Sequence, residues 1–419
     1  MSMLTKDKQL TVLQVGTLNQ PIRPDIGYGP IESIVHSIDK GLHAAGHRSI
    51  VACSGDSLVY GEHCVTVDRS FGSYWSDDTG EQRAATQAHY SRALRRFKRG
   101  DIDVIHAHDP KAVEFLYDEA RIRQVPIVMT LHVSVKESRL KGAYERWCDP
   151  LLAPLVHCAS ISEYQKQQYH EQLKASQVVY HGIDVEDYPF KTRPARGSYL
   201  FTIGRLTSDK GQREAIALAK RTGSKLIIAG CVQNKAADRK YFADLKPSLD
   251  LIVDAGAGPM GDDYYARVIK PLADSDHQII YIGEINSAQK KLWYLHAQAT
   301  VFPIQWGEPF GLVLVESMAC GTPVIAFSKG AVPEIVAHGK TGFVVDSLEP
   351  LIAAANRIDT IDPVVCRSHV RDRFSLDAMA RNYVALYHRV VPGRRPAARS
   401  SRLLPDVLTL PVLQERIAT

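Results

Sequence analysis

Cysteine is scarce and unpatterned: the seven thiols fall at positions 53, 64, 148, 158, 231, 320 and 366, an odd number with no C-x-x-C spacing. That spacing argues against a disulfide framework or a zinc knuckle, and makes a reducing, cytoplasmic setting the expectation. No apolar run approaches the roughly 20 residues of a membrane span, and the start, "MSMLTKDKQLTVLQVGTL", holds only a short one. The expectation is therefore a chain in solution, peripheral to a membrane at most. An excess of one charge is lacking too. Lys and Arg number 51 against 46 Asp and Glu, a net charge of +5, which does not call for nucleic acid.

What is present is length and alternation. At 419 residues and 45% hydrophobic the chain exceeds what one core supports, since cores stop growing near about 250 to 300 residues. Short Val/Ile/Leu runs alternate with helix-length amphipathic segments. They are "LTVLQV", "RSIVAC", "DVIHAH", "PIVMTLH", "VHCASIS" and "QVVYHG", then "YLFTIG", "KLIIAG", "QIIYIG", "ATVFPI" and "TPVIAF". Buried parallel strands with crossover helices have this pattern. The series restarts after the Pro- and Arg-bearing "YPFKTRPARGSY", so the predicted fold class is α/β, two similar doubly wound domains facing a cleft. Residues 1–190 and 191–373 are the expected domains. Residues 374–391 form an amphipathic helix, and 392–419, mixing Arg, Pro and Ser without period, a flexible basic tail. The 232–277 stretch is long for one strand-to-strand connection and is expected to hold an inserted element.

Two stretches carry chemistry. In "ATVFPIQWGEPFGLVLVESMACGTPVIAF" a strand, a turn and a helix place Glu308 before the helix and Glu316 within it. The free N–H groups around Phe310, Gly311 and Leu312 make a candidate anion site, and Gly311 allows close approach to the backbone. Eight helical residues span about 12 Å, more than the roughly 5 to 9.5 Å between paired glycosidase carboxylates, and no nearby Asp or His completes a metal set. The bland alternative is a capping Glu308 and a Glu316 on the solvent side. In "YLFTIGRLTSDKGQREAIALAK" a strand is followed by Arg205 and Lys210 and then a helix, an arrangement suited to a pyrophosphate, with ordinary surface charge as the alternative.

"GRLTSDKG" together with "EPFGLVLVESMACGTPVIA" and the following "G.VPEIV..G.TGF" resembles the family 4 retaining glycosyltransferases, which have two Rossmann-like domains in the GT-B arrangement. The resemblance is dense from about 199 to 345 and looser across 12 to 190. It implies that Arg205 and Lys210 grip the diphosphate of a nucleotide-sugar donor, Glu316 bonds its ribose and Glu308 its sugar hydroxyls. The amides of Phe310, Gly311 and Leu312 would serve sugar and phosphates, and His132 in "TLHVSV" would lie near the donor sugar. It also implies a helix crossing back to the N-terminal domain, a front-face reaction with retention, and neither cofactor nor metal. The acceptor, whether saccharide, lipid-linked or small molecule, is not readable.

The chain departs from the family pattern twice. Pro30 stands where the second glycine of a Gly-Gly-x-Glu loop would be, leaving Gly29 as the usable residue, and His181 stands where Asn is common. In "HAHD", His106 is expected in the core and His108 and Asp109 are candidates to line the acceptor cleft. Ser162 is a candidate helix cap. The stripe Arg92, Arg96 and Arg99 is expected to be a solvated face, with anionic lipid as the sharper alternative. The G-x-G-x-x-G at Gly256, Gly258 and Gly261 sits mid-chain with Pro259 inside it and is not expected to bind a dinucleotide. The alternatives to a transferase are a sugar-nucleotide epimerase on the same architecture and a nucleotide-sugar-binding regulator without turnover.

Overall fold

Val, Ile and Leu at consecutive positions need apolar contact on both faces of a strand, and the chain provides it twice, with two parallel sheets of seven strands covered by helices. The computed structural model describes residues 9–26, 29–72, 79–133, 141–168, 175–257 and 263–392. The basic tail beyond Pro392, and Gly258 and Gly261 of the mid-chain glycine pattern, lie outside these residues.

The first sheet runs β3-β2-β1-β4-β5-β6-β7. Its strands are β1 (Thr11–Val15), β2 (Arg48–Ser54), β3 (Glu62–Val67), β4 (Val104–Ala107), β5 (Ile127–Leu131), β6 (Val156–Ser160) and β7 (Ala175–Val178). The second runs β10-β11-β9-β8-β12-β13-β14. It contains β8 (Leu200–Ile203), β9 (Leu226–Ala229), β10 (Leu251–Ile252), β11 (Ile279–Tyr281), β12 (Ala299–Phe302), β13 (Val324–Phe327) and β14 (Gly342–Val345). In the first sheet the order reverses once, between β1 and β4; in the second it reverses between β8 and β12 and again near the edge, where β11 lies between β9 and β10, and the central switch points open a crevice at the carboxyl ends of the strands. The long 232–277 connection is explained by the two-residue strand β10, an extra strand at the sheet edge flanked by helices Ala236–Leu245 and Lys270–Asp274.

The helix Leu376–Val390 packs against the first sheet. Met379, Tyr383, Leu386 and Tyr387 share a core with Leu10, just before β1, with Val12 within it, and with Ile34 and Ile38 of the helix Pro30–Ala44. Contact is close at Gly41, where an added Cβ would lie 2.6 Å from the Ala380 methyl. The chain thus passes between the two sheet regions twice, and the crossings are bonded to each other: Ile183 N–H donates to Phe374 O (3.0 Å) and Leu376 N–H to Ile183 O (2.7 Å). A second bridge lies at Glu334, on the short helix Val332–Ile335. Its carboxylate accepts from Glu163 N–H (2.8 Å), Tyr164 N–H (2.6 Å) and the Tyr180 hydroxyl (2.8 Å), all on the first-sheet side.

Of the arginine stripe, Arg92 and Arg99 are exposed as expected of a solvated face, and Arg96 is not. Arg96 is only 5% exposed. It pairs with Glu62 (2.9 Å) and Asp101 (2.7 Å), which Arg48 also contacts, and Arg92 donates to the Thr66 carbonyl. Among the described residues no helix is long and apolar enough to cross a membrane.

Candidate active site

Loops from both switch points meet around one cavity of about 330 Å3, lined by His132 and Pro30 from one sheet region and by Arg205, Lys210, Glu308 and Phe310 from the other. The loop after β8 carries Arg205 and Lys210 on a backbone pinned by Gln212, whose amide donates to Arg205 O (2.8 Å). Gly211 closes this loop at φ 73°, and a Cβ there would lie 1.9 Å from Pro303 O, so only glycine lets the loops after β8 and β12 touch. Gln305 N–H donates to Asp209 O (2.8 Å) across the same contact.

Strand β12 ends in the turn that holds Glu308. Ala331 N–H donates to Glu308 O (2.8 Å), and Gly330 packs so closely that a Cβ would meet the Glu308 backbone at 2.3 Å. Gly311, at φ 90°, then starts the helix Leu312–Ala319. The Glu308 side chain forms an ion pair with Lys210 (3.0 Å), both side chains about 15% exposed, and the ammonium lies 5.0 Å above the Trp306 ring. Arg205 reaches Gln233 Oε1 at 3.5 Å, and Gln233 is itself buried.

Glu316 faces the interior, 7% exposed, and not the solvent as the bland sequence reading had it. Its carboxylate accepts from Lys290 Nζ (2.6 Å), Tyr294 OH (3.1 Å) and Tyr188 OH (3.4 Å). Burial, with this carboxylate beside them, holds both phenols well above their ordinary pKa. Glu316 and Lys290 line a smaller cavity with Gly29, Pro30 and Arg205, adjoining the first. Lys290, Tyr188, Tyr294 and Trp306 had no motif to mark them.

Across the cavity, Gly29 is the N-cap of the helix Pro30–Ala44, and a Cβ there would strike Ile26 at 2.3 Å. Pro30 occupies the first helical position, where its fixed φ suits the helix and the missing N–H breaks no intrahelical bond. Glu32, two residues further on, is buried and accepts from the Thr17 hydroxyl (2.5 Å) and Gln20 N–H (3.4 Å). Burial raises its carboxyl pKa to about 7.

His132 follows β5 and faces the cavity, its Nε2 2.9 Å from His108 Nδ1. The His181 ring stacks on it at 5.3 Å and meets Phe310 edge-on at 5.1 Å, so the residue that replaces the family's Asn forms part of the wall. His108 does not line the cleft as the sequence suggests; at 2% exposure it stands behind His132. Asp109 caps the helix Pro110–Arg123 through Lys111 N–H (2.6 Å) and is not among the cavity residues. His106 is core, bonded to Thr130 Oγ1 and Tyr387 OH (both 2.7 Å), and Ser162 caps its helix through Gln165 N–H (2.9 Å).

The Glycosyltransferase Family 4 model matches residues 31–187 and the Glycosyl transferases group 1 model residues 184–361. Phosphatidyl-myo-inositol mannosyltransferase of Mycobacterium tuberculosis is 23% identical, the match covering 83% of this chain and 86% of that protein. Glycogen synthase of the same organism is 27% identical with the same coverage. Among solved structures, sucrose-phosphate synthase from Thermosynechococcus elongatus superimposes with a TM-score of 0.64 at 18% identity, covering 91% of this chain and 99% of its own. HepE from Anabaena, in complex with UDP and glucose, does so at 0.62 and 16% identity, covering 90% and 98%. The two family models adjoin at the passage between the sheets, and with these relatives they show that the chain belongs to the glycosyl transferases group 1 of family 4 type and is a glycosyltransferase of GT-B fold.

Proposed function

We propose that the chain moves a sugar from a nucleotide diphosphate sugar to an acceptor hydroxyl with retention of anomeric configuration. The observation that carries this reading is the convergence of Arg205, Lys210, Glu308 and the start of the helix Leu312–Ala319 on one cavity at the switch point of the second sheet. Two cations beside free helix amides suit a diphosphate, and a carboxylate one hydrogen bond from Lys210 suits sugar hydroxyls. The crystal complexes of HepE with UDP and with UDP-glucose support a donor of this class. Relatives named as transferases and synthases favour neither the epimerase nor the regulator.

In this reading Lys210 exchanges Glu308 for the diphosphate when donor enters, and Glu308 turns to the sugar. Glu316 accepts from the ribose in place of one of its present donors, and Gly29 approaches the phosphates from the opposite wall. The bond from the anomeric carbon to the leaving phosphate oxygen breaks while a bond to the acceptor oxygen forms on the same face, and the acceptor's proton passes to the departing diphosphate. Arg205, Lys210 and the helix amides stabilise the developing charge, a task that requires no metal ion.

Thermal unfolding with UDP, GDP, ADP and dTDP, each with and without chelator, tests the site. A ligand at 100 times its dissociation constant adds about 2.7 kcal/mol of stability. One diphosphate that stabilises equally with chelator is the expected result, and no stabilisation by any of them overturns the assignment. Proton NMR of the first-formed glycoside then reads the anomeric configuration, and an inverted product would refute the front-face course.

A further inference from the structure

His132 presents two nitrogens, of which Nε2 is bonded to His108. Nδ1 has no hydrogen-bond partner among the described residues and is the nitrogen left for the cleft. The His108 ring offers Nδ1 to that bond, and its own Nε2 is buried with no hydrogen-bond partner among the described residues. The His106 ring lies beside it, centroid to centroid 4.2 Å. Burial depresses both imidazoles, His132 to about 3 and His108 well below its ordinary value, so at neutral pH each ring carries one proton.

Only two arrangements then exist. In one, His108 holds its proton on Nε2, a buried N–H with no acceptor, and receives a bond from His132 Nε2–H, which leaves His132 Nδ1 as a bare acceptor. In the other, His108 donates from Nδ1 to His132 Nε2, its own Nε2 is an unused lone pair, and His132 carries its proton on Nδ1. An orphaned buried N–H is the rarer defect in folded proteins, and an unmade bond there costs its full desolvation.

We propose that His108 is the positioning residue that fixes the tautomer of His132, holding Nδ1 protonated and directed into the cleft as a hydrogen-bond donor to an oxygen of the bound sugar. The proposal rests on the transferase reading for the identity of that oxygen. It has a mechanistic consequence: a His132 whose cleft nitrogen is already protonated takes no proton from the acceptor hydroxyl. Deprotonation is left to the departing diphosphate. His108 itself touches no substrate.

The deciding measurement is two-bond proton–nitrogen correlation on the full-length protein labelled with 15N-histidine, with His132 identified by the signal lost in His132→Asn. The expected result, without ligand, is His132 protonated at Nδ1; protonation at Nε2 overturns the proposal. The kinetic arm compares His108→Asn, whose amide N–H can take the place of Nδ1–H, with His108→Leu, which fills the space and donates nothing. His108→Asn is expected to keep kcat close to wild type. His108→Leu should lower it about 10- to 100-fold, the range seen when a metal-bound histidine loses its outer partner, with the donor KM little changed. Equal turnover in the two variants overturns the proposal. If His108→Leu does not fold, the wild-type spectrum still decides. If no nucleotide sugar is a donor, the function reading fails while the tautomer result stands by itself.

Discussion

Removing the Glu316 carboxylate leaves a lysine and two tyrosines aimed at an apolar wall. Breaking a buried pair from one side typically costs about 3 to 5 kcal/mol, and Lys290 is largely buried beside Glu316. Glu316→Ala is therefore expected to lower the urea midpoint as well as weaken nucleotide binding, and an unchanged midpoint would show that Lys290 finds water instead. Arg205→Ala should weaken nucleoside diphosphate binding by about 1.5 to 3 kcal/mol, read by calorimetry, with little change in unfolding. Lys210 and Glu308 touch, so Lys210→Ala and Glu308→Ala should be non-additive in a double-mutant cycle of kcat/KM, whereas independent roles would give simple sums. Arg205, Lys210, Glu308 and Glu316 were legible because each sits at a fixed distance from a strand end inside a patterned stretch. Lys290 and Tyr188 were not, since they reach Glu316 from 26 and 128 residues away, and only the folding of separate segments onto one another joins them.

At the scale of elements, the helix Pro30–Ala44 carries a titrating group, Glu32, into the core. Burial raises Glu32 from its ordinary 4.5 to about 7, so the fold keeps a proton that the unfolded chain releases. The stabilisation is fully present below about pH 4.5 and is lost as pH rises through about 7, in total about 3 kcal/mol. Glu32→Gln keeps the neutral partner for Thr17. The difference in unfolding free energy between this variant and wild type should therefore be near zero at pH 4.5 and favour the variant at pH 8. A difference independent of pH would show that Glu32 titrates alike in the folded and the unfolded chain. Ten of the eleven apolar runs marked strands that lie inside the sheets, and the eleventh, "QVVYHG", overlaps the edge strand β7. Missed were β3 and β10, which have a neighbour on one side only, and β14, at the opposite edge of the second sheet; β3 reads Glu-His-Cys-Val-Thr-Val and β10 is two residues long. An edge strand needs less apolar sequence, and so leaves less trace.

Across the whole molecule, Glu334 joins the two sheet regions beside the paired crossings, because Tyr180, which donates to it, packs its ring edge-on against Phe374 (5.6 Å). Glu334→Ala removes an acceptor shared by three donors and should favour opening by about 2 kcal/mol, since bonds to a charged group are worth roughly that. The expected signs are a larger radius of gyration in solution scattering without ligand, reversed by saturating nucleoside diphosphate, and a weaker affinity for it. An unchanged radius would show that the wild type already rests open. This link between the halves was not written in any motif, because "VPEIV" names a glutamate without saying what it meets.

The two crossings themselves act like the spine of a book. Because Ile183 is bonded on both sides to the returning strand at Phe374 and Leu376, one cover can swing against the other but cannot slide along it. A cleft built this way can gape to admit a bulky acceptor and, on closing, bring Arg205 back to the same place opposite His132 in every cycle.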